Sequence, residues 1–158
     1  MTQLQIAIVA FARAYLGVKE TSPNSGPEID GWLALRGLPP GEPWCAAFAC
    51  AAVEASADEC AIKLVTFHPS ASTQRLWMGN VPLQVQEPMP GDLYVLRHTA
   101  NTGHVGVIDL VENGAVAAEI SGNTFSDGGG REGNCVARHF GAPEKTHGGT
   151  LLGYLRPT

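Results

Sequence analysis

With 158 residues, 44% of them apolar and 16% charged, the chain has room for one globular domain with one sizeable core. A net charge of −5 with no Lys/Arg cluster argues against a nucleic-acid surface, and no apolar run is long enough to cross a membrane. The four cysteines form no CxxC pair and match no zinc-finger spacing, so they are expected to be reduced where the chain is made.

The opening stretch MTQLQIAIVAFARAYLG lacks a basic n-region and carries Arg13 inside its apolar run. It is expected to be an amphipathic helix of the mature protein rather than a signal peptide. Thr2 and Gln5 fit a capping box, Leu4, Ile8, Phe11, Ala12 and Tyr15 share one face, and Gly17 ends the run. After the loop TSPNSGP, Pro27 suits the first turn of a short helix closed by Gly37. LPPGEP is a rigid loop, and a third helix is expected over about 43–57. A shorter fourth helix is expected over 71–78, with Ser70 as its cap. Beyond the turn PMPGD the period changes to two, and DLYVLR, HVGVIDLV, AVAAEIS, NCVARHF and TLLGYL read as strands. Helices followed by strands imply an α+β domain, N-terminal helices on a C-terminal antiparallel sheet.

Within GEPWCAAFACAA, residues 41–52, Cys45 shares a helical face with Phe48, Ala49, Ala52 and Val53. A buried packing thiol would fit that face. So would a nucleophile, because the first turn of a helix lies in the field of unpaired N–H groups, which lowers a thiol's pKa. A nucleophile needs a base. Among His68, His98, His104, His139 and His147, His104 stands out: it opens the strand GHVGVIDL, next to Gly103 and close to Gly106. The dipeptide Asn113-Gly114 is a strong two-residue hairpin signal. Continued without a bulge, that hairpin sets His104 opposite Asn123, with Cα atoms roughly 4.5–5.5 Å apart. Asn123 would then hold the imidazole in one tautomer. Ser121 falls on the same face, and Glu119 lies roughly 13 Å along it from His104. Trp44, beside the thiol, is the candidate groove wall. SDGGGREG is expected to be a loop bordering the cleft, and Cys50, Cys60 and Cys135 to be packing residues. No HExxH, HxH or GxSxG occurs, which argues against zinc and serine hydrolases.

PWCAAF, then GHVGVI, then ISGNT resembles the CHAP peptidases and amidases, relatives of NlpC/P60 with a papain-like fold. NSGPEID, PGDLYVL and GNTFSDGGGREGNCVARH extend the resemblance over most of the chain. It implies a peptidoglycan hydrolase with Cys45 as nucleophile, His104 as base and Asn123 as orienting group, working without metal or cofactor. Trp44 and Ser121 become the candidate substrate contacts. Many relatives carry glutamate where Ser121 stands, and Trp44 replaces the glutamine of papain-like proteases, leaving the Cys45 N–H as oxyanion donor. The implied setting is a monomer made in the cytoplasm and acting on the wall after release or delivery, as a phage endolysin or antibacterial effector does. An effector would have an immunity protein as partner. A cysteine hydrolase or deamidase acting on a non-wall amide and a non-catalytic wall-binding module are the alternatives.

Overall fold

A computed structural model describes residues 1–127 and 132–158; the centre of SDGGGREG, residues 128–131, lies outside the described residues. Thr2 caps α1 (Gln3–Ala14) through the expected box, its hydroxyl accepting from the Gln5 N–H and the Gln5 side chain accepting from the Thr2 N–H. Leu4, Ile8 and Ala12 are buried along its inner face. Pro27 opens α2 (Pro27–Leu35). The third helix, α3 (Cys45–Glu59), starts at Cys45 rather than at residue 43, and α4 spans Thr73–Gly79. Its cap is Ser72, not Ser70: Ser72 has the extended backbone of a cap and accepts from the Arg75 N–H, while the Ser70 hydroxyl accepts from the Ser72 N–H.

The five expected strands form: β2 (Leu93–Arg97), β3 (Gly103–Glu112), β4 (Ala115–Thr124), β5 (Cys135–Phe140) and β6 (Thr150–Leu155). A two-residue strand β1 (Gln84–Val85) and a short helix α5 (Pro143–His147) were not anticipated. All pairings are antiparallel, in the order β1-β6-β2-β3-β4-β5. The protein is thus a mixed α+β domain with helices packed on a six-stranded antiparallel sheet.

Strand alternation gives the sheet two unlike faces. Leu93, Val95, Val105, Val107, Ile120 and Val136 join the helices in the main core. Tyr94, Leu96, Ile108, Val116 and Tyr154 form a second cluster on the other face. Eleven of the fifteen α3 residues are buried, because its seven alanines let it lie between α1, α2 and the β3–β4 hairpin. Its start is pressed onto β4 at Gly122, where a Cβ would stand 2.5 Å from the Trp44 ring and 3.1 Å from Phe48 Cβ.

The hairpin turns at Asn113 and Gly114, both left-handed (φ 51° and 76°). The ladder is not regular. Ala117 is extra on β4 and Asp109 is extra on β3, so the two bulges cancel, and Ile108↔Glu119 and Val107↔Ile120 regain the expected register.

Candidate active site

Cys45 is the first residue of α3, and the first helical hydrogen bond runs from the Phe48 N–H to the Trp44 carbonyl. The N–H groups of Cys45, Ala46 and Ala47 therefore precede the helical ladder and face outward with the positive end of the helix. The thiol sits at the rim of the main core, 6% exposed. It lines a cleft of about 190 Å³ together with Pro43, Thr73, Asn101, Thr102 and Gly103. Two other thiols are held protonated. Burial pushes Cys50 up to about 12, and it also raises Cys135, whose Sγ–H donates to the Thr124 carbonyl.

His104 directly follows Gly103, so the cleft beside Cys45 ends where the histidine strand begins. The imidazole is fully buried, and it leaves β3 on the face opposite Val105 and Val107. Cross-strand pairing with Leu96, and Tyr94 with Gly106, puts it in the second cluster, its ring centroid 6.2 Å from Tyr94 and 4.4 Å from His147. Burial drives its pKa down to about 3, helped by neighbouring histidines and opposed by Glu119, so the ring is neutral at ordinary pH. Among the described residues, neither ring nitrogen has a hydrogen-bond partner.

Asn123 is brought to the same end of the sheet but not into a regular pair with His104. The last β3–β4 partners are Val107 and Ile120, and β4 carries an extra residue against β5 between Ser121 and Thr124. There Asn123 takes a left-handed backbone, φ 56°, and its carbonyl accepts from the Gly133 N–H. Its side chain is buried, and among the described residues Oδ1 has no partner. Both expected substrate contacts, Trp44 and Ser121, are buried. Trp44 is fully buried, its indole N–H donating to Glu20 and its ring packed against Trp32 and beneath Gly122; it supports the floor of the site instead of walling a groove. Ser121 is also fully buried, against Gly106, so no substrate reaches it in this arrangement.

Four of the five histidines gather here, which spacing along the chain did not reveal. Glu119 Oε1 accepts from His139 Nδ1 at 2.8 Å and from His147 Nε2 at 2.7 Å, and Oε2 accepts from the Tyr94 hydroxyl at 2.9 Å. These hydrogen bonds hold Glu119 down to about 2 against the opposing effect of burial, and the same carboxylate raises His139. His147 touches both Glu119 and His104, its Nε2 on Glu119 Oε1 and its ring 4.4 Å from the His104 ring. Pairing of Glu119 with His139 across β4–β5 was the missing information. PEKTHGG, a proline start with a glycine stop, was a legible signal for the helix that delivers His147. No family model, no curated protein and no solved structure matches this chain.

Proposed function

We propose that the chain is a papain-like cysteine hydrolase of the CHAP and NlpC/P60 type, cleaving an amide bond of peptidoglycan. The observation that carries this reading is the placement of Cys45 at the tip of α3, in a cleft shared with the residue before a buried, neutral histidine. The neutral His104 imidazole takes the thiol proton as sulfur attacks the amide carbonyl. The tetrahedral oxyanion accepts from the Cys45 N–H, the amine leaves with the proton from His104, and water hydrolyses the thioester to a carboxylic acid. Asn123 Oδ1, buried and unpartnered, is the acceptor that orients His104 once substrate closes the site. No metal takes part in these steps. The setting is the bacterial wall, reached after lytic release or secretion, with a monomer acting on peptidoglycan; an effector role would add an immunity protein.

Purified sacculi incubated with the protein should release fragments bearing new free amines, identified by mass spectrometry. Cys45→Ala and His104→Ala should abolish release while circular dichroism stays native. Full turnover by folded Cys45→Ala would overturn the reading. Inert sacculi, with ammonia released from a glutamine-containing protein, would move the substrate off the wall.

A further inference from the structure

Among the described residues, three carboxylates are buried in the sheet region: Asp92, Asp109 and Glu119. Asp92 is gripped by Arg156, and Asp109 by Arg13 and Arg138. Arginine keeps its proton and cannot ligate a metal. Glu119 is different: its partners are two imidazoles and a phenol. Imidazole can surrender a proton and take a metal ion in its place.

We propose that Glu119, His139 and His147 form a binding site for one divalent transition-metal ion of the zinc or cobalt kind. One donor atom from each residue lies within 4.8 Å of the other two, and all three side chains are buried. They come from β4, β5 and α5, so the folded chain, and no local motif, assembles them. Two nitrogens and one carboxylate oxygen are a donor set that suits zinc, with a further position open for water. The outer contacts are those of a ligand set. His139 Nε2–H donates to the Phe125 carbonyl at 2.8 Å, which turns Nδ1 inward. The Tyr94 hydroxyl occupies Glu119 Oε2 and leaves Oε1 facing the imidazoles. An entry path is present, because His139 borders an open cleft of about 390 Å³ with Ser126, Phe140 and Thr146.

The proton balance is explicit. Without an ion, one proton lies between His139 Nδ1 and Glu119 Oε1, while His139 Nε2 faces the Phe125 carbonyl. A bound ion takes the Nδ1 position, so at least one proton leaves to buffer for each ion that enters. Oxygen and nitrogens now at hydrogen-bond separation would spread to roughly 3.3 Å around an ion bonded at about 2.0–2.1 Å, a movement of about half an ångström. The site is separate from the thiol, so it stands or falls independently of the proposed hydrolysis.

The test uses the full chain, stripped with chelator and titrated with Zn²⁺ or Co²⁺. We expect one ion per chain by elemental analysis, a raised Tm, and at least one proton released per ion, measured by calorimetry in buffers of different ionisation enthalpy. The cobalt form should show visible d–d bands without a thiolate charge-transfer band. His139→Gln and His147→Gln should each weaken binding by at least the roughly 10–100-fold that loss of an outer contact costs. Cys45→Ala should bind as the wild type does. Absence of stoichiometric uptake, unchanged uptake by His139→Gln, or a thiolate band placing the ion on a cysteine would each overturn the proposal. Should the variants fail to fold, nitrogen-15 spectra of the wild type decide: zinc must shift Nδ1 of His139 and Nε2 of His147, and unshifted resonances overturn it.

Discussion

The three buried thiols have similar exposure, so reactivity must separate them by chemistry. Cys50 lies in the middle of α3, where burial pushes its pKa up to about 12 despite the Ser70 carbonyl it bonds. Its alkylation in the folded protein should therefore be slow at pH 7 and still be climbing with pH at 10, while Cys45 at the helix tip labels fast. Cys60 is partly exposed, so the comparison belongs in a Cys60→Ser background. Equal labelling of Cys45 and Cys50 would remove the case for a nucleophile. The same shift has a stability consequence. The folded state keeps the Cys50 proton above the ordinary thiol value of 9.0, where the unfolded chain loses it, so stability falls by about 1.4 kcal/mol per pH unit between there and about 12. Cys50→Ala should flatten that alkaline slope in urea titrations. Asn123 calls for a different substitution. Its left-handed backbone would strain alanine, by roughly 1–2 kcal/mol, but not glycine. Asn123→Gly should keep the fold and still lose about 10²–10⁴-fold in rate if the amide orients His104; a rate within threefold of wild type would dismiss that role. At this scale the sequence made Cys45, His104 and Asn123 visible through local cues: a helix start, a glycine-flanked strand opening and a turn signal. Glu119 and His139 stayed hidden because what joins them is pairing between strands whose connecting loop carries no register signal, and His147 because it arrives on a separate five-residue helix.

Helices and strands were legible wherever a periodic stripe met a capping or turn residue, as at Thr2, Pro27 and Asn113. The paired bulges at Ala117 and Asp109 were not. They arise because Asp109 turns to meet Arg13 and Arg138, a three-element contact that no hydrophobic pattern encodes. β1 is two residues long and α5 five, too short for a period to show. The element that matters most for the proposed chemistry is α3, and its aim depends on Gly122. Added carbon there meets the Trp44 ring from below and cannot be relieved by a flexible tip, since Trp44 is wedged among Trp32, Phe48 and the Glu20 carboxylate. Gly122→Ala should cost about 1–3 kcal/mol by overpacking. It should also lower turnover of sacculi beyond that loss, because the displaced ring is the residue next to Cys45. Denaturation curves read the first effect and rates at low temperature, where the variant is fully folded, read the second. Wild-type turnover in a destabilised variant would show that α3 aims the thiol without Gly122.

The ends of the chain are tied together through one carboxylate. β6 inserts between β1 and β2, so the last strand closes a sheet whose other members come earlier. Beyond it, Arg156 sends Nε and Nη2 to the two oxygens of buried Asp92, at 3.0 and 2.8 Å, and Nη2 also reaches the Glu87 carbonyl. Asp92 further accepts from Gln5 on α1 and from the Met89 N–H before β2. First helix, central strand and last residues thus share one ion-pair network. Arg156→Met leaves Asp92 buried with its charge uncompensated, and removing one partner of such a pair costs about 3–5 kcal/mol. The Arg156 side chain is 29% exposed, so water softens the loss and the lower end is expected, about 3 kcal/mol. For a domain of this size that is a fall in Tm of roughly 6–12 °C. Asp92→Asn combined with Arg156→Met removes the orphaned charge yet keeps an acceptor for Met89, so the double variant should be more stable than Arg156→Met alone. Arg156→Lys should fall between, since an ammonium cannot bond both oxygens in the guanidinium's plane. A double variant no more stable than Arg156→Met would show that Arg156 acts through packing and its bond to Glu87, and that the charge on Asp92 is not what closes the fold.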